Sequence, residues 1–123
     1  NNETGISLLS IGYEDQCSIS DSIITHNTRG INASNVQAKF LINNNVIEYN
    51  KQYGVGTNCT RATLTQNKIT NNHTGVFSCE MSLIGLEENI IKKNKYWGVC
   101  IQQGSAIGKF TGNNIVGNHV IGA

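Results

Sequence analysis

Asn67-Lys68-Ile69-Thr70-Asn71-Asn72-His73-Thr74-Gly75-Val76 is the stretch on which the fold turns. It runs asparagine, isoleucine two residues on, a second asparagine three residues later, then glycine and a β-branched residue. The same order returns along the whole chain. The first asparagine recurs as Asn45, Asn67, Asn89 and Asn113, with Ser22 in phase, and the isoleucine as Ile24, Ile47, Ile69, Ile91 and Ile115. The second asparagine recurs as Asn2, Asn27, Asn50, Asn72, Asn94 and Asn118, at spacings of 25, 23, 22, 22 and 24. Glycine closes the unit at Gly5, Gly30, Gly54, Gly75, Gly98 and Gly122, and Ile6, Ile31, Val55, Val76 and Val99 follow the first five.

A fixed period of this size marks a solenoid. A leucine-rich repeat needs a regular leucine framework, and the chain has only six Leu. A helical repeat needs about 33 residues or more and a 3.6-residue local period. Here the local period is two. Cys17-x-Ile19, Phe40-x-Ile42, Ala62-x-Leu64 and Ile84-x-Leu86 all sit five and three residues before the first polar position of the unit. Such alternation turns one face inward and one outward, and three short strands account for each repeat. Stacked ~4.8 Å apart, neighbouring coils pair their strands in parallel and set like residues above one another. The isoleucines then form an apolar column, and the two asparagine columns form amide ladders of the kind seen in stacked sheets.

Composition agrees. The chain has 123 residues with 18 Asn, 16 Ile, 13 Gly and no Pro. Asn and Gly tolerate left-handed backbone, which suits many tight turns, and the ladder asparagines are expected at such positions. A missing proline suits a backbone whose N–H groups feed a hydrogen-bonded ladder. The expected fold is all-β, a right-handed parallel β-helix of about five coils with 22–25 residues per coil. Residues 1–123 read as a single domain. The chain opens and stops at the same point of its repeat, which reads as a segment or repeat unit of a longer or stacked assembly. Self-association end to end, or flanking coils of a longer chain, is the expected partnership.

The pattern Asn-x-Ile-x-x-Asn-x(2,3)-Gly-[Ile/Val] resembles that of right-handed β-helix proteins of the pectin-lyase-like superfold. It is most similar to the CASH repeats of carbohydrate-binding proteins and sugar hydrolases. The resemblance covers the whole chain and implies the fold, while the fold itself hosts many functions.

The residues argue against catalysis. Among the acids only Glu14/Asp15 and Glu87/Glu88 are adjacent, and neighbours along a strand point to opposite faces. A glycosidase needs two carboxyls facing each other. His73 and His119 share a column but lie two coils apart, near 10 Å, too far to share one ion at the ~2 Å bonds of a zinc site. No metal or cofactor is expected. A net charge of +1 argues against nucleic acid as partner, and no apolar run approaches the ~18 residues that span a bilayer.

One column draws attention. The residues after the ladder asparagines read Glu3, Thr28, Lys51, His73, Lys95 and His119. Tyr49, Tyr53, Tyr96 and Trp97 lie beside it, so Lys51, His73, Lys95 and these four aromatics are candidates for binding an acidic polysaccharide. Packing between coils is the competing role. Four sequons begin at Asn2, Asn32, Asn58 and Asn72, about the number chance supplies. Asn32 and Asn58 should point outward, whereas Asn2 and Asn72 belong to a ladder that would mask them. Cys59 and Cys79 lie five and four residues after glycines of adjacent coils, which leaves a disulfide open, with Cys100 competing for Cys79. Cys17, in an inward column, is expected to be a buried thiol. The leading reading is a non-catalytic structural or adhesive β-helix, extracellular or on a cell surface and open to glycosylation. A carbohydrate-binding module and an intracellular protein-binding scaffold are the alternatives.

Overall fold

The computed structural model describes residues 3–12 and 15–118. Fifteen strands form three five-stranded sheets, each taking one strand from every coil. The first sheet stacks β1 (Thr4–Ile11), β4 (Arg29–Val36), β7 (Tyr53–Asn58), β10 (Thr74–Cys79) and β13 (Trp97–Ile101). The second stacks β2 (Gln16–Ser20), β5 (Lys39–Asn43), β8 (Arg61–Thr65), β11 (Leu83–Glu87) and β14 (Ala106–Thr111). The third stacks β3 (Ile23–Thr25), β6 (Val46–Glu48), β9 (Lys68–Thr70), β12 (Ile90–Lys92) and β15 (Asn114–Val116). Every pairing is parallel. The architecture is the five-coil parallel β-helix expected from the repeat.

Register follows the sequence columns. Ile24, Ile47, Ile69, Ile91 and Ile115 lie opposite one another along the third sheet, and the middle three are fully buried. Phe40, Ala62 and Ile84, and Ile42, Leu64 and Leu86, form two more inward columns. Each fully buried aliphatic side chain stabilises the stack by ~1.5–3 kcal/mol. Cys17 departs from expectation. It is half-buried, because it sits in the first coil and packs against the core from one side only.

Both amide ladders form. Asn27, Asn50, Asn72 and Asn94 are buried along one corner, and Asn45, Asn67 and Asn89 along another. The left-handed backbone, however, belongs to the residue before each ladder position. His26, Tyr49, Asn71 and Lys93 precede one ladder with φ of 59°, 57°, 57° and 57°, and Asn44, Gln66 and Glu88 precede the other with φ of 56°, 54° and 56°. The ladder asparagines have negative φ because their side chains must point inward after the bend. The repeat glycines are likewise not needed for backbone freedom. A Cβ on Gly54 would stand 2.9 Å from the Gly75 carbonyl oxygen and 2.9 Å from Asn72 Nδ2, so glycine holds this column because adjacent coils approach too closely for a side chain.

The third corner, between the first and second sheets, has a ladder of hydroxyls. Val36 N–H donates to Thr60 Oγ1, Thr60 N–H to Ser82 Oγ, and Ser82 N–H to Ser105 Oγ, at 3.2, 3.1 and 2.9 Å.

Candidate functional site

The corner between the third and first sheets collects the basic and aromatic side chains. It is built by the left-handed residues and by those just after the ladder asparagines. The rigid stack beneath fixes the backbone of both sets, so their side chains stand out from the turn. Tyr49 is 51% exposed and Tyr96 44% exposed. The Tyr49 ring stacks on His26 with centroids 5.5 Å apart and planes 16° apart. On the fourth and fifth coils His73 meets Tyr96 at 5.5 Å, and Tyr96 meets Trp97 at 5.0 Å with ring planes 77° apart. Between these groups lies an open cavity of about 350 Å³, lined by His26, Tyr49, Lys51, Asn71, His73 and Lys95. None of its lining residues is acidic. Lys51, His73 and Lys95 are exposed, as the column reading required. His119 lies outside the described residues.

Tyr49 stands out. A bulky side chain at positive φ is disfavoured, and at half exposure little burial offsets that cost. Its ring is instead displayed beside the lysines.

Tyr53 behaves differently from the other aromatics. Its ring lies flat over Gly56, where a Cβ would collide with it, and stacks on Phe77 at 6.1 Å. The hydroxyl donates to Asn32 Oδ1 at 2.8 Å. Burial, ahead of any charge effect, raises its phenol above the ordinary value. Tyr53 therefore packs between coils, and only part of its ring is open to the strip. Trp97 is half-buried. A second cavity of about 370 Å³ between Lys51, Tyr53, His73 and Phe77 continues the strip onto the first sheet.

Asn72 is fully buried, with Nδ2 donating to the Ile47 carbonyl and Asn94 Oδ1. Its amide is masked in the fold, as its ladder position implied. Asn32 and Asn58 are half-exposed on outward positions of the first sheet, and Asn2 lies outside the described residues. All four cysteines are free thiols in the structure.

Another cavity, about 540 Å³, lies elsewhere, on the outer face of the second sheet. Lys39 and Arg61 line it one coil apart, with Thr63, Leu83 and Lys109. Lys109 pairs with Glu87 at 3.0 Å. The sequence reading missed this pair, although Lys39 and Arg61 both stand just before an inward column residue, which was the available signal. Glu88, which follows Glu87, faces Gln66 instead, at 3.4 Å, and Glu3 pairs with Arg29 at 3.2 Å. Glu14 lies outside the described residues. Among the described residues no group of three or more His, Cys, Asp or Glu is placed to hold a metal ion.

Compared with known proteins, the chain matches over residues 1–122 the family described as "Periplasmic copper-binding protein (NosD)". No curated protein and no solved structure gives a match. The chain belongs to the NosD family, a periplasmic family of β-helix proteins, which places it outside the cytoplasm.

Proposed function

We propose that this NosD-family protein is a non-catalytic structural β-helix that adheres to acidic polysaccharide through its basic, aromatic corner. The observation that carries the reading is the cavity in which Tyr49 and His26 stack beside Lys51, His73 and Lys95 with no acid among them. An aromatic face takes the apolar side of a sugar ring, while the lysines take its carboxylate. Repetition by coil suits a polymer lying along the axis, with Lys51, His73 and Lys95 presented at successive ~4.8 Å steps. The acids support a non-catalytic role, because Glu3, Glu87 and Glu88 are engaged by Arg29, Lys109 and Gln66.

The family description names copper, a metal that takes imidazole and sulfur donors. The donors of this chain do not fit such a centre, since no three of them converge among the described residues. The Nδ1 atoms of His26 and His73 also face the Thr25 and Thr74 hydroxyls at 2.8 and 3.3 Å.

Retention on immobilised polygalacturonate, with neutral dextran as control, tests the reading. The protein should be held by the acidic matrix alone and released by salt. The Lys51→Ala/Lys95→Ala double variant should lose retention with an unchanged melting curve. Tyr49→Asn should weaken it while leaving stability equal or higher, because Asn tolerates positive φ. Full retention of the double variant would overturn the proposal.

A further inference from the structure

The corner between the first and second sheets gathers three thiols, and we propose that Cys59 and Cys79 form a disulfide in the oxidising space outside the cytoplasm, joining the third coil to the fourth. Cys79 lies opposite Asn58 in the strand register, so Cys59 is one residue beyond it. The Cys59 N–H donates to the Glu80 carbonyl at 3.0 Å, which holds the two turns together. A strand separation of ~4.8 Å and a rise of ~3.3 Å place the two Cα atoms ~6 Å apart. A disulfide spans Cα separations of ~4.4–6.8 Å.

The same geometry excludes the competing partner. Cys100 lies opposite Phe77, two residues before the Cys79 row, so its Cα is ~8 Å from that of Cys79 and bridging would need backbone movement. Cys100 is also only 4% exposed, whereas Cys59 and Cys79 are half-exposed and open to an oxidant. Cys17 stands in β2 of the first coil, on another sheet. Burial, then the Glu80 carboxylate, then Cys59 and Cys100, raise the Cys79 thiol above its ordinary value.

The position has a structural use. This corner is the one whose ladder is built of hydroxyls, and a covalent link there would join the two coils where side-chain bonding is thinnest. Periplasmic proteins keep such bonds, since their compartment is oxidising. A low-molecular-weight disulfide such as oxidised glutathione suffices as oxidant. One cysteine thiolate attacks a glutathione sulfur, forming a mixed disulfide and releasing the first glutathione thiolate. The second thiolate attacks the cysteine sulfur of that mixed bond, closing Cys59–Cys79 and releasing the other. Two electrons pass to glutathione, and the two thiol protons end on its released thiols.

The test is oxidation of the full chain with oxidised glutathione, followed by tryptic mapping without reductant. Cleavage after Lys and Arg separates the cysteines into peptides 52–61, 69–92 and 96–109. Expected are a loss of two hydrogen masses, a link between peptides 52–61 and 69–92, and a urea midpoint higher by about 1 M than that of the reduced protein. Cys59→Ser and Cys79→Ser should each abolish the link and the gain, and Cys100→Ser should abolish neither. A link from 69–92 to 96–109, no intramolecular link, or a link without a rise in midpoint would each overturn the proposal.

Discussion

Two kinds of corner hold the same coils together, one made of amides and one of hydroxyls. Asn67 shows the first. Its backbone N–H and its Nδ2 both donate to Asn89 Oδ1 at 3.0 Å, and Nδ2 also donates to the Ile42 carbonyl at 2.9 Å. Its Oδ1 accepts from the N–H and the Nδ2 of Asn45. One side chain thus binds both the coil below and the coil above. Thr60 shows the second. Its hydroxyl accepts from Val36 N–H and lies 3.2 and 2.9 Å from the Ala33 and Asn58 carbonyls. A hydroxyl has one proton, so it serves one carbonyl at a time. An amide has two, and the difference decides which corner carries more of the stack.

That comparison can be broken in four ways. Ile91→Ala sets the upper reference, since it empties a fully buried site of the column shared by all coils, and urea unfolding should show a loss of about 2–5 kcal/mol. Asn67→Ala should come next, because it leaves the Asn45 N–H and the Ile42 carbonyl buried and unpaired. With about 1–3 kcal/mol for each such group, a loss near that of Ile91→Ala is expected in the same titration. Ser82→Ala strands one buried group at the thinner corner, the Thr60 N–H, because the bond to the Cys79 carbonyl is only half-buried and water can replace it. About 1–2 kcal/mol should be lost there, and a cost equal to that of Asn67→Ala would erase the distinction between corners. Asn35→Ala should cost at most about 1 kcal/mol, since Asn35 is an exposed bend residue with φ of 55°, and Asn35→Gly should leave the thermal midpoint nearly unchanged.

The amide corners were legible in the sequence because one residue type does their work at every coil. Only asparagine offers two donors and an acceptor on a side chain short enough to fold back under its own turn. Its phase with Ile69 and Gly75 therefore persists. The hydroxyl corner was not legible. Thr60, Ser82 and Ser105 are common surface residues, Val36 breaks their series, and an extra residue at Met81 shifts their phase. The bend residues were misplaced by one position, since backbone strain there is tolerated by side chains as different as His26, Tyr49 and Lys93. At the candidate site, the charged column of Lys51, His73 and Lys95 could be read by counting. The packing of Tyr53 could not, because it depends on a ring folding across Gly56 onto another coil.

The tolerance of the bend residues separates what the chain must keep from what it can vary. Each coil turns on side chains that point inward, while the residue just before each turn is held by the backbone and left chemically uncommitted. Histidine, tyrosine, asparagine and lysine follow one another at equivalent places along a single edge. A row of anchored, interchangeable positions at near-constant pitch works like a printed strip, on which charge or aromaticity can be rewritten coil by coil without resetting the type beneath. Selection acting on such a strip can alter the character of that edge in increments of one repeat, and the length of the edge scales with the number of repeats.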